Sequence, residues 1–348
     1  MAATMVPARS GWRALRRAPC RRATSGAPQL RLGRCGSSAG TGARKPAFAV
    51  EPAPRPGAGA SDPLLLVQGW ACGAADWGVL PKLLASAGNR PVVTYDPCGI
   101  GDSEAAAPGC EADTAAALAA EALAVAHAAG LSAAHLLGVS LGGMVVQELA
   151  LAAADSLGPH SSECPPFRPR SLVLCATTPG RPDGIGPPPG FLETFARWDD
   201  GATARHEVAD AFLRRGLAPQ WLAAQPGRKR LVAKAAKRFA ETPRAAAAIA
   251  AQAAAVRAFD GGGRLGRLRR QAAVADTERA AEPAMVLHGE ADTIFPARNA
   301  ELLAACLGPP CERRLLPSCG HLLYLEEPRL FVEAVTEFLA RVEAGECA

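Results

Sequence analysis

Not one Asp or Glu occurs in the first 50 residues, which carry nine Arg and Lys45. The remaining 298 residues hold 28 Lys/Arg against 33 Asp/Glu, so the overall charge of +5 belongs to a basic leader on a mildly acidic chain. The leader also lacks an apolar core of about 7 to 15 residues, which excludes a secretory signal. Its Arg, Ala and Ser, as in MVPARSGWRALRRAPCRRATSG, match a mitochondrial or plastid transit peptide. A basic tail on a cytoplasmic protein is the alternative. Aromatics interleaved with the arginines are missing apart from Trp12, which argues against nucleic-acid binding.

Long hydrophobic runs are missing too. Glu, Arg or Gln breaks every Ala-rich stretch before about 18 apolar residues accumulate, so no membrane span is expected. There is no CxxC pair among the 11 cysteines, hence no sign of a zinc or redox motif. Cys72, Cys98, Cys175 and Cys319 lie in or beside segments that read as strands, and such scattered thiols behave as small hydrophobes in a reducing compartment. No metal or organic cofactor is implied.

What is present is enough apolar sequence, 49% of 348 residues, to bury the core of one large α/β domain with an inserted module. Residues 1–60 read as the leader and a Pro/Gly linker, EPAPRPGAGASDP marking its end, and 61–343 as the domain. Short apolar runs then alternate with helical patterns: 64–68, 91–96, 135–139, 171–176, 284–288 and 313–317 read as strands, and 76–87, 113–129, 141–154, 297–306 and 326–343 as helices. This alternation predicts a mostly parallel sheet, and strands so apolar must be covered by helices on both faces. One connection, from 176 to 284, is far longer than a crossover and is Ala-rich with helical spacing, so a helical insert is expected over about 180–270. Residues 228–270 hold twelve Lys/Arg, a solvated face that could also draw an anionic substrate such as a CoA thioester.

In LLGVSLGG, Gly138, Ser140 and Gly142 form G-x-S-x-G between a predicted strand and a predicted helix. That context makes the pattern a strand-to-helix turn with the hydroxyl at its apex, whereas by itself the motif is weak in a chain with 35 glycines. A serine attacks only when a base removes its proton and a carboxylate orients the base. Asp292 in VLHGEADTIFP and His321 in LPSCGHLLYLEEP each follow a predicted strand and supply those partners. Asp183 is the second choice for the acid, and Ser140 as a helix cap, Asp292 as a helix cap and His321 as a loop residue are the bland readings. The other histidines, His288 included, are assigned no chemistry. An oxyanion would need two backbone donors, Leu141 after the serine and Trp70 in LLLVQGWACGAADW.

The order Ser140, Asp292, His321, together with YDPCGIGDSE at 95–104 and RLGRL at 264–268, resembles the α/β-hydrolase family with a single helical lid. The resemblance spans about 62–343 and implies an α/β-hydrolase fold with the inserted helices as lid. It also implies a serine hydrolase acting on a small-molecule acyl substrate: a carboxylic ester, or a thioester or lactone. A non-hydrolytic member (acyltransferase, perhydrolase or lyase) and a non-catalytic ligand-binding member are the alternatives, and the oligomeric state is not specified. Three departures stand out. Gln68-Gly69 replaces the family's His-Gly; the two antiparallel strands that should lie near 40–62 meet a Pro/Gly-rich stretch and are expected short or missing; and RRQAAVADTERAAE, 269–282, reads as an insertion.

Overall fold

The computed structural model describes residues 46–55, 59–107, 109, 111–155, 167–274, 282–309 and 311–347. Of the leader and linker read at 1–60, residues 1–45 and 56–58 fall outside them, and so does half of the insertion read at 269–282; residues 48–51, read as linker, form a strand of the sheet. In chain order the elements begin with β1 (Phe48–Glu51), β2 (Leu64–Val67), a 3-10 turn (Ala74–Trp77), α1 (Leu80–Gly88), β3 (Val92–Tyr95) and α2 (Ala115–Ala128). There follow β4 (Ala133–Val139), α3 (Leu141–Asp155) and β5 (Arg168–Cys175). Next come α4 (Ala202–Gly216), α5 (Pro219–Ala224), α6 (Pro226–Glu241), α7 (Ala246–Ala258) and α8 (Gly262–Val274). The chain closes with β6 (Ala284–Gly289), α9 (Arg298–Leu307), β7 (Cys311–Leu316), α10 (Leu323–Glu326) and α11 (Pro328–Glu343).

The seven strands form one sheet in the order β1-β3-β2-β4-β5-β6-β7, parallel except where β1 runs antiparallel to β3. Every residue of β2, β3 and β6 is buried, the pattern of strands sandwiched between helix layers. Local signals set the helix starts. Thr114 caps α2 by accepting from the Ala117 N–H at 3.1 Å, and Pro opens α5, α6 and α11 where its missing N–H costs nothing. Of the two antiparallel strands expected short or missing before the parallel set, the described residues hold one, of four residues. It is pinned by Ser103, whose hydroxyl accepts from Ala47 N–H at 2.8 Å and donates to Asp96 O at 2.6 Å.

Helices α4 to α8 occupy the long connection between β5 and β6. They do not behave as one unit: α4 packs on α6, whereas α8 packs on α3 and α9 beside the sheet. Parallel strands leave their carboxyl ends on one edge, and the segments carrying Trp70, Ser140, Asp292 and His321 all begin there, after β2, β4, β6 and β7.

Candidate active site

Ser140 sits between β4 and α3 with φ of 59°, left-handed backbone that a serine adopts only when its surroundings force it. They do so with hydrogen bonds and with close packing. The Ser140 N–H donates to Cys175 O at 2.9 Å, and its carbonyl accepts from Gly143 N–H at 2.9 Å and from Thr177 Oγ1 at 2.7 Å. A Cβ at Gly138 would lie 2.2 Å from Gly142 O, and one at Gly142 would lie 2.1 Å from Val67 O, so both flanking positions admit only glycine. An ordinary helix cap has extended backbone, which this residue does not.

Asp292 and His321 meet. The Asp292 Oδ2 to His321 Nδ1 distance is 2.9 Å, and both side chains are buried. Oδ1 of the same carboxylate accepts from the N–H groups of Ile294 (2.8 Å) and Phe295 (3.0 Å). Burial alone would raise the Asp292 pKa, but the charge and hydrogen bond of His321, joined by His288, hold it well below the usual carboxylate range. Asp183, the alternative acid, is exposed in the turn after β5, where its charge acts on Cys306. No hydrogen bond joins the Ser140 hydroxyl to His321 among the described residues. Such a contact is commonly long without substrate and tightens in the reacting complex.

The His321 loop is fastened to the inserted helices. Gly320 N–H and Ala218 N–H donate to the two oxygens of Glu326 at 2.8 and 3.2 Å, and Leu322 N–H donates to Gly216 O at 3.0 Å. Burial drives the Glu326 pKa up to about 7, helped by the Asp292 and Glu327 charges and opposed by those two N–H donors.

Gly69, the residue before Trp70, lies against the serine, since a Cβ there would fall 3.2 Å from Ser140 Cβ. Among the described residues neither the Trp70 nor the Leu141 backbone N–H donates a hydrogen bond, which leaves both available to an oxyanion. The Trp70 ring is enclosed by Phe191, Phe195 and Phe212 at centroid distances of 5.5, 4.7 and 5.9 Å, and its Nε1–H donates to Ile249 O at 2.8 Å. The neighbouring Ala71 N–H donates to Gln252 of α7 at 2.8 Å. Gln68, standing where the family has His, accepts from Gly69 N–H with its own oxygen, and its buried Nε2 has no partner.

A second serine, histidine and carboxylate lie near the opposite edge of the sheet: Ser171 Oγ is 2.8 Å from His135 Nδ1, and His135 Nε2 is 3.2 Å from Glu343 Oε1. Ser171 and His135 have no exposed surface, so no substrate reaches them, and the arrangement is structural. One ligand atom each from Asp62, His135 and Glu343 lie within 4.8 Å of one another, but Arg90 already donates to Glu343 at 2.9 Å and supplies the balancing charge. No helix among the described residues is long and apolar enough to cross a membrane.

The profile of the alpha/beta hydrolase family matches residues 64–334. The chain belongs to that family. Among solved structures it is similar to a hydrolase from Pseudomonas aeruginosa PA01, with 26% identity, TM-score 0.60 and coverage of 86% of this chain and 99% of the other. It is also similar in fold to a thermophilic esterase from Thermogutta terrifontis (21% identity, TM-score 0.64, 86% and 94% covered). The enol-lactonase from Burkholderia xenovorans LB400 shares the fold as well (19% identity, TM-score 0.65, 85% and 97% covered). No curated protein matches the chain in sequence.

Around this alpha/beta hydrolase site, three contributors were not legible in sequence. Thr177 and Glu326 act through backbone groups distant in the chain, and no sequence spacing announces such contacts. His288 stands four residues before Asp292, close enough that the spacing is a usable signal, but an isolated histidine in an apolar strand reads as core.

Proposed function

We propose that the protein is a serine hydrolase cleaving a carboxylic ester, with a thioester or lactone as the related substrates. The observation that carries this reading is the 2.9 Å contact between Asp292 Oδ2 and His321 Nδ1, on the sheet edge where the Ser140 elbow also stands. The Asp292 carboxylate accepts the proton at Nδ1 and so leaves Nε2 unprotonated and free to take the Ser140 proton, whereas an N–H donor at Nδ1 would hold the proton on Nε2. Ser140 Oγ then attacks the acyl carbon, and the N–H groups of Trp70 and Leu141 hold the oxyanion. His321 returns the proton to the leaving alcohol, giving an acyl-serine and a free alcohol. A water deprotonated by His321 attacks that acyl group, and collapse releases the carboxylic acid and restores Ser140.

Helices α4 to α7 act in this scheme as the lid that shapes the acyl pocket and keeps water out. The esterase and enol-lactonase names of two fold relatives are consistent with ester or lactone cleavage, at identities that speak only for the fold. The test is labelling of the full chain by a fluorophosphonate, with Ser140→Ala as control, and product analysis on p-nitrophenyl esters. Labelling lost in Ser140→Ala and release of free acid with water alone are expected. An unlabelled wild type would favour the non-catalytic ligand-binding reading, product only with a second acceptor would favour the acyltransferase or perhydrolase reading, and cleavage that takes up neither water nor an acceptor would favour the lyase reading. The acid-free leader supports delivery to a mitochondrion or plastid, tested by fusing residues 1–60 to a fluorescent reporter, where diffuse cytosolic signal would count against it.

A further inference from the structure

His288 is the second-to-last residue of β6, and its side chain has no exposed surface. Its neighbours along the strand are Met285, Val286 and Leu287, and an aliphatic side chain would suit such a position without cost. The imidazole is costly there, because Nδ1 is buried with no partner. Compensation comes from one nitrogen only. Nε2 lies 2.7 Å from Phe295 O and 3.2 Å from Asp292 Oδ2. A backbone carbonyl only accepts, so Nε2 carries the proton and shares it between that carbonyl and the carboxylate.

We infer that His288 is a positioning residue for the catalytic acid: its Nε2–H holds Asp292 Oδ2 and Phe295 O together and so aims the carboxylate at His321. The inference rests on the triad reading above. Oδ1 is held by two backbone N–H groups, and the His288 contact adds a restraint on Oδ2 against the rotation that would turn it away from His321. Phe295 is part of the same device, since its ring packs 5.7 Å from the His321 ring, centroid to centroid. One buried imidazole therefore fixes two of the groups against which His321 is oriented. The other titratable groups about this pair are Glu326 of α10, which feels the Asp292 charge, and Cys319 of the His321 loop, which feels that of Glu326. Both bear on the far side of the loop and neither replaces the donor.

Two amides of nearly equal polarity separate positioning from mere filling. The side-chain nitrogen of Gln can reach the place of Nε2, whereas that of Asn reaches only the place of Nδ1. His288→Gln, His288→Asn and His288→Leu are compared in the full chain by the second-order rate of fluorophosphonate labelling at Ser140, read by intact mass, and by kcat and KM on p-nitrophenyl butyrate. Circular dichroism sets the folded fraction of each. The Asn and Leu variants are expected to label between about tenfold and a hundredfold more slowly with KM nearly unchanged, the scale of a small misplacement of a catalytic group, and Gln to restore most of the rate. An Asn variant as fast as wild type, or a folded Gln variant as slow as Asn, would overturn the inference. So would a Gln variant that fails to fold, because it keeps the donor. Should wild type not label at all, or Ser140→Ala label equally, the triad reading itself fails, a different outcome from any of these.

Discussion

At the scale of single residues, the strongest expectations concern groups whose partners are fully specified. Asp292→Asn places an amide opposite His321 Nδ1 and favours the wrong imidazole tautomer, so kcat should fall on the order of 10⁴-fold, while Asp183→Asn should leave it unchanged. Steady-state kinetics on one ester settle both, and the reverse pattern would move the acid to the turn after β5. Trp70 has two separable roles. Trp70→Phe keeps the backbone N–H but strands Ile249 O, so stability should drop by about 1–3 kcal/mol in urea unfolding while kcat of the folded protein stays near wild type. Trp70→Pro deletes the N–H itself and should cost on the order of 10² to 10³ in kcat. Glu326 gives a pH test with a definite sign. Its folded pKa, about 7, exceeds the ordinary carboxylate value, so the folded state holds that proton more tightly and stability is lost as pH rises toward 7. The unfolding free energy of Glu326→Gln relative to wild type should therefore increase between pH 5 and pH 8, and a difference independent of pH would refute it.

Among the elements, the contact that matters most joins the turn between α4 and α5 to the loop after β7. A Cβ on Gly320 would fall 2.7 Å from Ala218 N and 2.9 Å from Gly216 O, backbone atoms that cannot turn aside. Gly320→Ala should push the His321 loop off its seat and lower kcat on the order of 10²-fold, while Gly263→Ala in α8, where a Cβ meets nothing, should be neutral or stabilising. Kinetics and thermal melts of the pair distinguish the two, and an active Gly320→Ala would show that the loop tolerates displacement. The same contact means that removing the whole insert would unseat His321 along with any lid, so lid function is better tested by substitutions in α6 or α7.

For the molecule as a whole, closure depends on Glu343 at the end of α11, which accepts from Arg90 at 2.9 Å and from Asp62 N–H at 3.1 Å and faces His135. This cluster ties the last helix to the entry of β2, the end of α1 and the middle of the sheet. Burial alone would raise the Glu343 pKa, but His135 and Arg90 lower it to about 2, so the stability it contributes is present above the ordinary carboxylate pKa and is lost on acidification. Glu343→Gln should destabilise the fold by about 2 kcal/mol at pH 7, less than for a fully buried pair because the carboxylate is partly exposed. Denaturant unfolding at pH 7 and pH 4 would show that difference shrinking with pH, and a constant difference would exclude an electrostatic origin.

The periodicity of apolar residues and the glycines around Ser140 determined, without coordinates, six of the seven strands, the helices between them and the order of the three candidate site residues. Those are properties of local sequence: a four-residue buried strand, a proline at a helix start and a Gly-x-Ser-x-Gly turn each carry their physics within a few positions. The tertiary structure alone decided which acid meets His321, because Asp183 and Asp292 both follow strands and only the strand order of the sheet brings one of them within 2.9 Å. It alone decided that Phe48–Glu51 joins the sheet as a single antiparallel edge, since that pairing lies with Val92–Tyr95, more than forty residues away. And it alone exposed the contacts of His288 and Glu326, whose partners include backbone groups. A carbonyl or an N–H is present at nearly every position of a chain, and only the fold selects which of them a buried side chain will find.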